Sequence, residues 1–218
     1  MYNLIIPGLY FHHDVNISFI TLLKSHPELF YDNVNIRAVF GTFQFSQWDG
    51  GRIFDNYYHA TKEKIERLRD IYNNELQVPM RFTFTNSIIT EENCYSVFDN
   101  LVLNLCHNGK NEIVVNSPML EEYIRNNYPQ YNFISSTTKC LTDVNKVIEE
   151  LSSDKYIMVC LDYNLNKNLK FLETIPNDLR PKVEFLSNAI CPPGCPNRKA
   201  HYYLNSTYGL TYGREYTM

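Results

Sequence analysis

Short runs rich in β-branched and aromatic residues alternate along this chain with stretches whose apolar positions recur at helical spacing. The runs Leu4–Tyr10, Ile36–Phe43, Met80–Ser87, Glu112–Ser117, Asn132–Thr137, Tyr156–Asp162 and Lys182–Asn188 predict seven strands. Between them, Ile17–Phe30, Tyr57–Asn74, Glu91–His107, Leu120–Asn127, Thr142–Leu151 and a short piece at Leu169–Thr174 predict helices. In the second helix Ile65, Leu68, Ile71 and Tyr72 share a face, while Lys62, Glu63, Glu66, Arg67 and Arg69 cover the remainder, the pattern of an outer amphipathic helix. In the fifth, Thr142 is the expected N-cap with Asn145 three residues on, and Val144, Val147, Ile148 and Leu151 form the buried stripe.

Strands joined one by one through helices imply parallel pairing with right-handed crossovers, either as an open doubly wound sheet or as a barrel. A dinucleotide-cradling glycine loop is missing after the first strand, where Pro7-Gly8 is followed by Tyr10-Phe11-His12-His13-Asp14. The chain is therefore read as one TIM-like (β/α) barrel domain over residues 1–218, incomplete with seven strands. The 17 residues after His201 suffice for a last extended segment but not for another strand and helix. The first and seventh strands would then keep unpaired backbone groups. Tyr202 to Tyr216 is expected to cover that gap or to form a homo-oligomer contact.

Composition narrows the partners. With 44% hydrophobic and 20% charged residues in 218, one large core is affordable and disorder is not indicated. A net charge of -4 supplies no basic field, so nucleic acid is not favoured as a partner. No segment reaches the roughly 20 apolar residues of a membrane span, and a cytoplasmic protein is expected. The six cysteines then read as thiols or ligands. Cys94, Cys106 and Cys160, inside predicted elements, and Cys140, between the fifth strand and the fifth helix, read as small buried hydrophobes, whereas Cys191 and Cys195 lie in a loop.

In a parallel barrel the loops after the strands converge on one mouth, and polar residues gather there. His12, His13 and Asp162 are the candidate catalytic groups, because imidazole titrates near neutrality and a carboxylate can orient it. Arg52, Asn86, Asn116, Asn188 and Arg198 are the candidate substrate contacts, with Gly50-Gly51-Arg52 suited to a phosphate or carboxylate. The loop Cys191-Pro192-Pro193-Gly194-Cys195-Pro196-Asn197-Arg198-Lys199-Ala200-His201 is stiffened by three prolines. Its two thiols could share a metal ion or an iron–sulfur cluster, with His201 as third ligand. Arg198 stands where a radical S-adenosylmethionine motif would need its third cysteine, which excludes that chemistry. Free thiols in a tight loop are the competing account.

The strand order, Val39-Phe40-Gly41 with Gly50-Gly51-Arg52 after it, Val183-Glu184-Phe185, and the Cys-x5-His ending at His201 resemble the barrel domain of the collagenase-like peptidase family. That resemblance implies an α/β barrel. Some members, the oxygen-independent ubiquinone and RNA hydroxylation proteins, hold an iron–sulfur cluster through four cysteines, and Cys191 and Cys195 are the counterparts here. Two function classes follow. One is a metal- or iron–sulfur-dependent enzyme, peptidase-like or of the hydroxylation type, acting on a small-molecule or peptide-like substrate. The other is a non-catalytic binding barrel whose Cys191–Cys195 loop is structural.

Overall fold

Each strand pairs with its neighbours in sequence, because each crossover helix returns the chain to the adjacent position in the sheet. The computed structural model describes residues 2–51, 60–188 and 191–214. Its strands are β1 (Tyr2–Pro7), β2 (Val34–Gly41), β3 (Met80–Phe84), β4 (Glu112–Val115), β5 (Asn132–Ser135), β6 (Met158–Cys160) and β7 (Val183–Glu184). They form one sheet in the order β1-β2-β3-β4-β5-β6-β7, with every pair parallel. Among the described residues β1 and β7 do not pair, so the sheet is a curled, incomplete barrel.

Seven α-helices are described: α1 (His13–Ser25), α2 (Lys62–Asp70), α3 (Val97–Leu105), α4 (Pro118–Asn127), α5 (Val144–Ser152), α6 (Leu169–Thr174) and α7 (Arg198–Arg214). The main core lies between sheet and helices, where Phe43, Phe82, Phe84, Trp48 and Phe133 meet Ile20, Ile65, Leu68, Val102, Leu103, Leu120 and Ile124. No helix among the described residues is long and apolar enough to cross a membrane.

The inner face of the sheet is charged. Arg81, 1% exposed, donates from Nε to Glu112 on β4 at 2.8 Å and from Nη1 to Glu184 on β7 at 2.6 Å. Strands β3 and β7 are not neighbours, so the second bond crosses the bore and holds the curl. A one-residue bulge opposite Leu4–Ile5 leaves Arg37 outside the β1–β2 register. Its guanidinium reaches Glu112 at 2.6 Å, as a bulge can re-aim a side chain. Burial opposes the charge on Arg81, but Glu184 and Glu112 outweigh it and hold its pKa above the ordinary value.

At the amino-terminal ends of the strands, asparagines tie the elements together. Asn111 accepts from the Met80 amide at 2.9 Å and donates to Asn73 at 3.0 Å and to the Cys106 carbonyl at 2.9 Å. Asn73 sits in a wide turn, Ile71–Glu75, that closes α2, and it donates to the Val78 carbonyl at 3.1 Å.

Several boundaries differ from the sequence reading. All seven predicted strands ran two or more residues too far at their carboxyl ends, where the chain already turns toward the mouth. Asp143, not Thr142, caps α5 by accepting from Lys146 N. Glu91–His107 is broken at Ser96, which caps α3. Cys140 follows a short turn in left-handed conformation, φ 52°, and lies outside any helix or strand. The expected extended segment after His201 is helix α7 instead. Its described contacts lie on the loops after β2, β3, β5 and β6, away from the open edges of β1 and β7.

Beyond β2, the chain is held by Asp99 at the start of α3. This carboxylate accepts from Ser46 Oγ at 2.5 Å, Gln47 N at 2.9 Å and Ser96 Oγ at 2.7 Å. Its burial pushes the pKa up to about 6, against the opposing effect of those hydrogen bonds. The folded state therefore binds this proton more tightly than the unfolded chain. Asp99 should make stability fall as pH rises from near 3.8 to about 6, and Asp99→Asn should abolish that slope in urea titrations across the range. Glu112→Ala should lower the unfolding free energy by about 3 kcal/mol, because it leaves the buried Arg81 guanidinium with Glu184 alone and Arg37 without its carboxylate. Denaturant unfolding of that variant measures the loss directly.

Candidate functional site

The last loop is folded by its own residues. Pro193 and Gly194 occupy the two central positions of a turn closed by Cys195 N donating to Pro192 O at 3.2 Å. Gly194 has φ 72°, and proline followed by left-handed glycine is the signature of a type II turn. The turn brings Cys195 back beside Cys191. Helix α7 then starts at Arg198, and His201 closes its first turn by donating its amide to Asn197 O at 2.9 Å. The Sγ atoms of Cys191 and Cys195 and a ring nitrogen of His201 lie within 4.8 Å of one another. Both thiols are half-buried and His201 is exposed.

Three contacts fasten this loop to the segment after β6. Tyr163 OH donates to Pro192 O at 2.8 Å, and Gly194 N donates to Asn164 Oδ1 at 2.8 Å. The third is ionic. Arg198 Nη1 meets Asp162 Oδ2 at 2.6 Å, with both side chains almost fully buried. The same guanidinium donates to Thr137 Oγ1 at 2.9 Å and to Tyr202 OH at 3.0 Å, and lies 4.0 Å from the Tyr163 ring centroid. Burial opposes the charge on Arg198, but Tyr202 and Asp162 raise its pKa overall. Burial likewise pushes the Tyr202 phenol up.

Asp162 is thus committed twice, since it also accepts from Asn164 N at 2.9 Å. It holds the loop instead of standing free as an acid or base. Arg198 is committed with it and presents no open guanidinium to a substrate. Asn86 is fully buried and donates to Gln47 O, Asp49 O and Ser206 O, which makes it a strut beneath α7. Asn116 donates to Thr138 Oγ1 at 2.7 Å and is half-buried. Asn188 is exposed. Arg52 lies outside the described residues.

The two histidines after β1 diverge. His12 is exposed, and its ring covers Gly8, where φ is +88° and a Cβ would come within 2.7 Å of the ring. His13 turns toward the outer layer. Its Nδ1 lies 2.5 Å from Tyr10 O, its Nε2 2.7 Å from Lys64 Nζ on α2, and its ring stacks on Tyr10. The same Nε2 lies 3.3 Å from Asp14 Oδ1, so the ring is enclosed by groups of its own helix and of α2.

Cys94, Cys106 and Cys160 are buried, and burial pushes the Cys106 thiol up to about 12. Cys140 is less buried, and its thiol feels the charges of Arg198, Asp162, Lys199 and Cys191, which puts it at the same end of the barrel. Burial raises its pKa, with Arg198 opposing. Tyr163 builds the site without having been singled out in the sequence, which reads Thr137 as the end of the fifth strand and Tyr202 as the start of a covering segment. Their signal is positional only, since each follows a strand or shares a helical face with Arg198.

Two thiols and an imidazole at this separation suit one tetrahedral ion, whose sulfur ligands would stand about 3.8 Å apart at ordinary zinc–sulfur bond lengths. An iron–sulfur cluster takes four thiolates, and the group of ligand atoms found together among the described residues contains two. Replacing Asp162 by Ala should free the loop by leaving Arg198 unpaired. Cys191 and Cys195 should then react with a thiol reagent severalfold faster than in the native protein, read by Ellman titration under native conditions.

No family model matches the sequence, and no curated protein matches it. Among solved structures the chain is similar to the U32 peptidase Mk0906, with a TM-score of 0.63 at 16% identity over 97% of this chain and 78% of that one. This chain therefore has a U32-like fold, an incomplete parallel barrel with the cysteine loop following its seventh strand.

Proposed function

We propose that this chain is a peptidase-like barrel protein that binds one metal ion through Cys191, Cys195 and His201 and acts on a small or peptide-like substrate at the carboxyl-terminal mouth. The observation that carries the reading is the convergence of three ligand atoms within 4.8 Å. They are drawn from two sides of a proline-stiffened turn and from the first turn of a helix. Three protein ligands leave a fourth position for water or substrate, the arrangement of catalytic zinc sites, where the ion lowers the pKa of bound water and polarises a carbonyl. The residues around the site would position that chemistry: Asp162 and Arg198 fix the loop, and Tyr163 anchors Pro192.

A second reading follows from the same bonds. Because Asp162 and Arg198 are spent on holding the loop, the cluster could serve a binding barrel in which metal or free thiols only add rigidity. Metal analysis of anaerobically purified protein separates the two in part, and peptide turnover completes the separation. About one metal ion per chain is expected, and Cys191→Ser with Cys195→Ser should remove it while the far-ultraviolet circular dichroism stays near that of the native protein. Absence of bound metal, and of uptake on adding zinc or iron, would refute the metal reading. Metal without turnover of any peptide would favour the binding barrel.

A further inference from the structure

Helix α7 lies across the mouth. Its first residue, Arg198, is bound at the ends of β5 and β6 through Thr137 and Asp162. Further along, Asn205 Nδ2 donates to Gly51 O at 3.2 Å, Ser206 O accepts from Asn86 Nδ2 at 3.0 Å, and Ser206 Oγ accepts from Ser87 N at 3.1 Å. These partners follow β2 and β3, so the helix spans from one side of the mouth to the other. The contact is close: a Cβ on Gly50 would lie 2.5 Å from Ser206 Oγ, and one on Gly209 2.7 Å from Asp49 O. Beyond the buried Arg198 ion pair at its start and the half-buried Tyr202, Tyr208 and Leu210, the grip consists of small residues and hydrogen bonds, while Tyr203 and Leu204 point to solvent. Elements held with so little apolar burial open at low cost.

Beneath this helix the strand ends carry unused polar atoms. Thr85 Oγ1 and Gln44 Oε1 are buried and have no hydrogen-bond partner among the described residues, Thr85 being 4% exposed. Thr85 Oγ1 lies 3.3 Å from where a Cβ on Gly51 would stand, directly under the stretch that Asn205 holds. Buried polar atoms are almost always paired, and an exception calls for an ordered water, an ion, a ligand, strain or a catalytic duty. A hydroxyl and an amide oxygen in the segments that follow the neighbouring strands β2 and β3 suit a neutral ligand with one donor and one acceptor, such as an amide.

The metal cluster straddles the joint between barrel and helix. Cys191 and Cys195 belong to the loop fastened on the segment after β6, whereas His201 belongs to α7 itself. We infer that α7 is a metal-held strap: an ion on Cys191, Cys195 and His201 fixes the helix over the mouth, and its release opens the Thr85 and Gln44 subsite to a small amide-like ligand. This rests on the metal-binding reading above. Linkage makes the effect reciprocal, so anything that lifts α7 must weaken the ion's binding by the same factor.

The test uses the full chain with reduced thiols and zinc alone as probe. Amide hydrogen exchange over residues 202–211 should slow about tenfold or more on zinc addition, within the usual range of coupling between sites. In His201→Ala that slowing should vanish. Ser206→Glu, which crowds Gly50 and Asn86 without touching a ligand, should weaken zinc binding about five- to tenfold. Should that variant not fold, Asn205→Ala removes only the Gly51 contact and must shift zinc affinity in the same direction. Stoichiometric zinc with unchanged exchange in α7 and native affinity in the lid variants would overturn the strap and leave the metal site standing. Failure of zinc to bind at all would overturn both.

Discussion

A guanidinium inside a barrel dictates the shape of everything around it. Burying the charge of Arg81 without compensation would be prohibitive, and two carboxylates from strands on opposite sides of the bore supply the compensation. Seven parallel strands with two open edges could otherwise spread as a twisted open sheet. The bond from β3 to β7 requires the sheet to curl, and only a curled sheet brings the loops after β1, β2, β3, β5, β6 and β7 toward a common mouth. The placement of the cysteine loop opposite the ends of β2 and β3 is a consequence of that charge.

The mouth itself is assembled by a second set of buried polar groups. Asp99 gathers the Ser46–Trp48 turn, Asn86 joins that turn to α7, and Asp162 with Arg198 locks the cysteine loop. Asn86, Asp162 and Arg198, which sequence inspection offers to substrate or catalysis, are here engaged with backbone or opposite charge. Among the described residues, ligand or hydrogen-bonding capacity remains at the two thiols, the His201 imidazole, and the Thr85 and Gln44 oxygens.

All seven strands were legible as short runs rich in β-branched and aromatic residues, apolar toward the helices even where Arg37, Arg81, Glu112 and Glu184 place charge among them. Their carboxyl ends were not, since residues such as Ser87, Ser117 and Asn188 retain strand-compatible chemistry while already turning. The cap of α5 was ambiguous because Thr142 and Asp143 are both competent acceptors, and tertiary position chose the latter. Cys191, Cys195 and His201 could be read together because the Pro-Pro-Gly turn is local. His13 could not be placed, since its direction depends on Lys64, 51 residues away. Helix α7 escaped notice because it lies on polar strand ends and so carries no continuous apolar stripe. Arg81 stood out only as a lone charge within Met80–Phe84, and nothing local names Glu184 as its partner.

The asparagine knot at the far end of the barrel gives the molecule a chemical polarity. Asn73 and Asn111 join the close of α2, the close of α3 and the starts of β3 and β4 entirely through neutral amides. No acid, oxidant or metal can alter those bonds within the range where proteins stay folded. The opposite end is held by a carboxylate with a raised pKa, by an ion pair and by thiols, all of which respond to their surroundings. A change of pH, redox poise or metal supply would thus act first on the mouth, while the amide knot at the other end keeps its bonds.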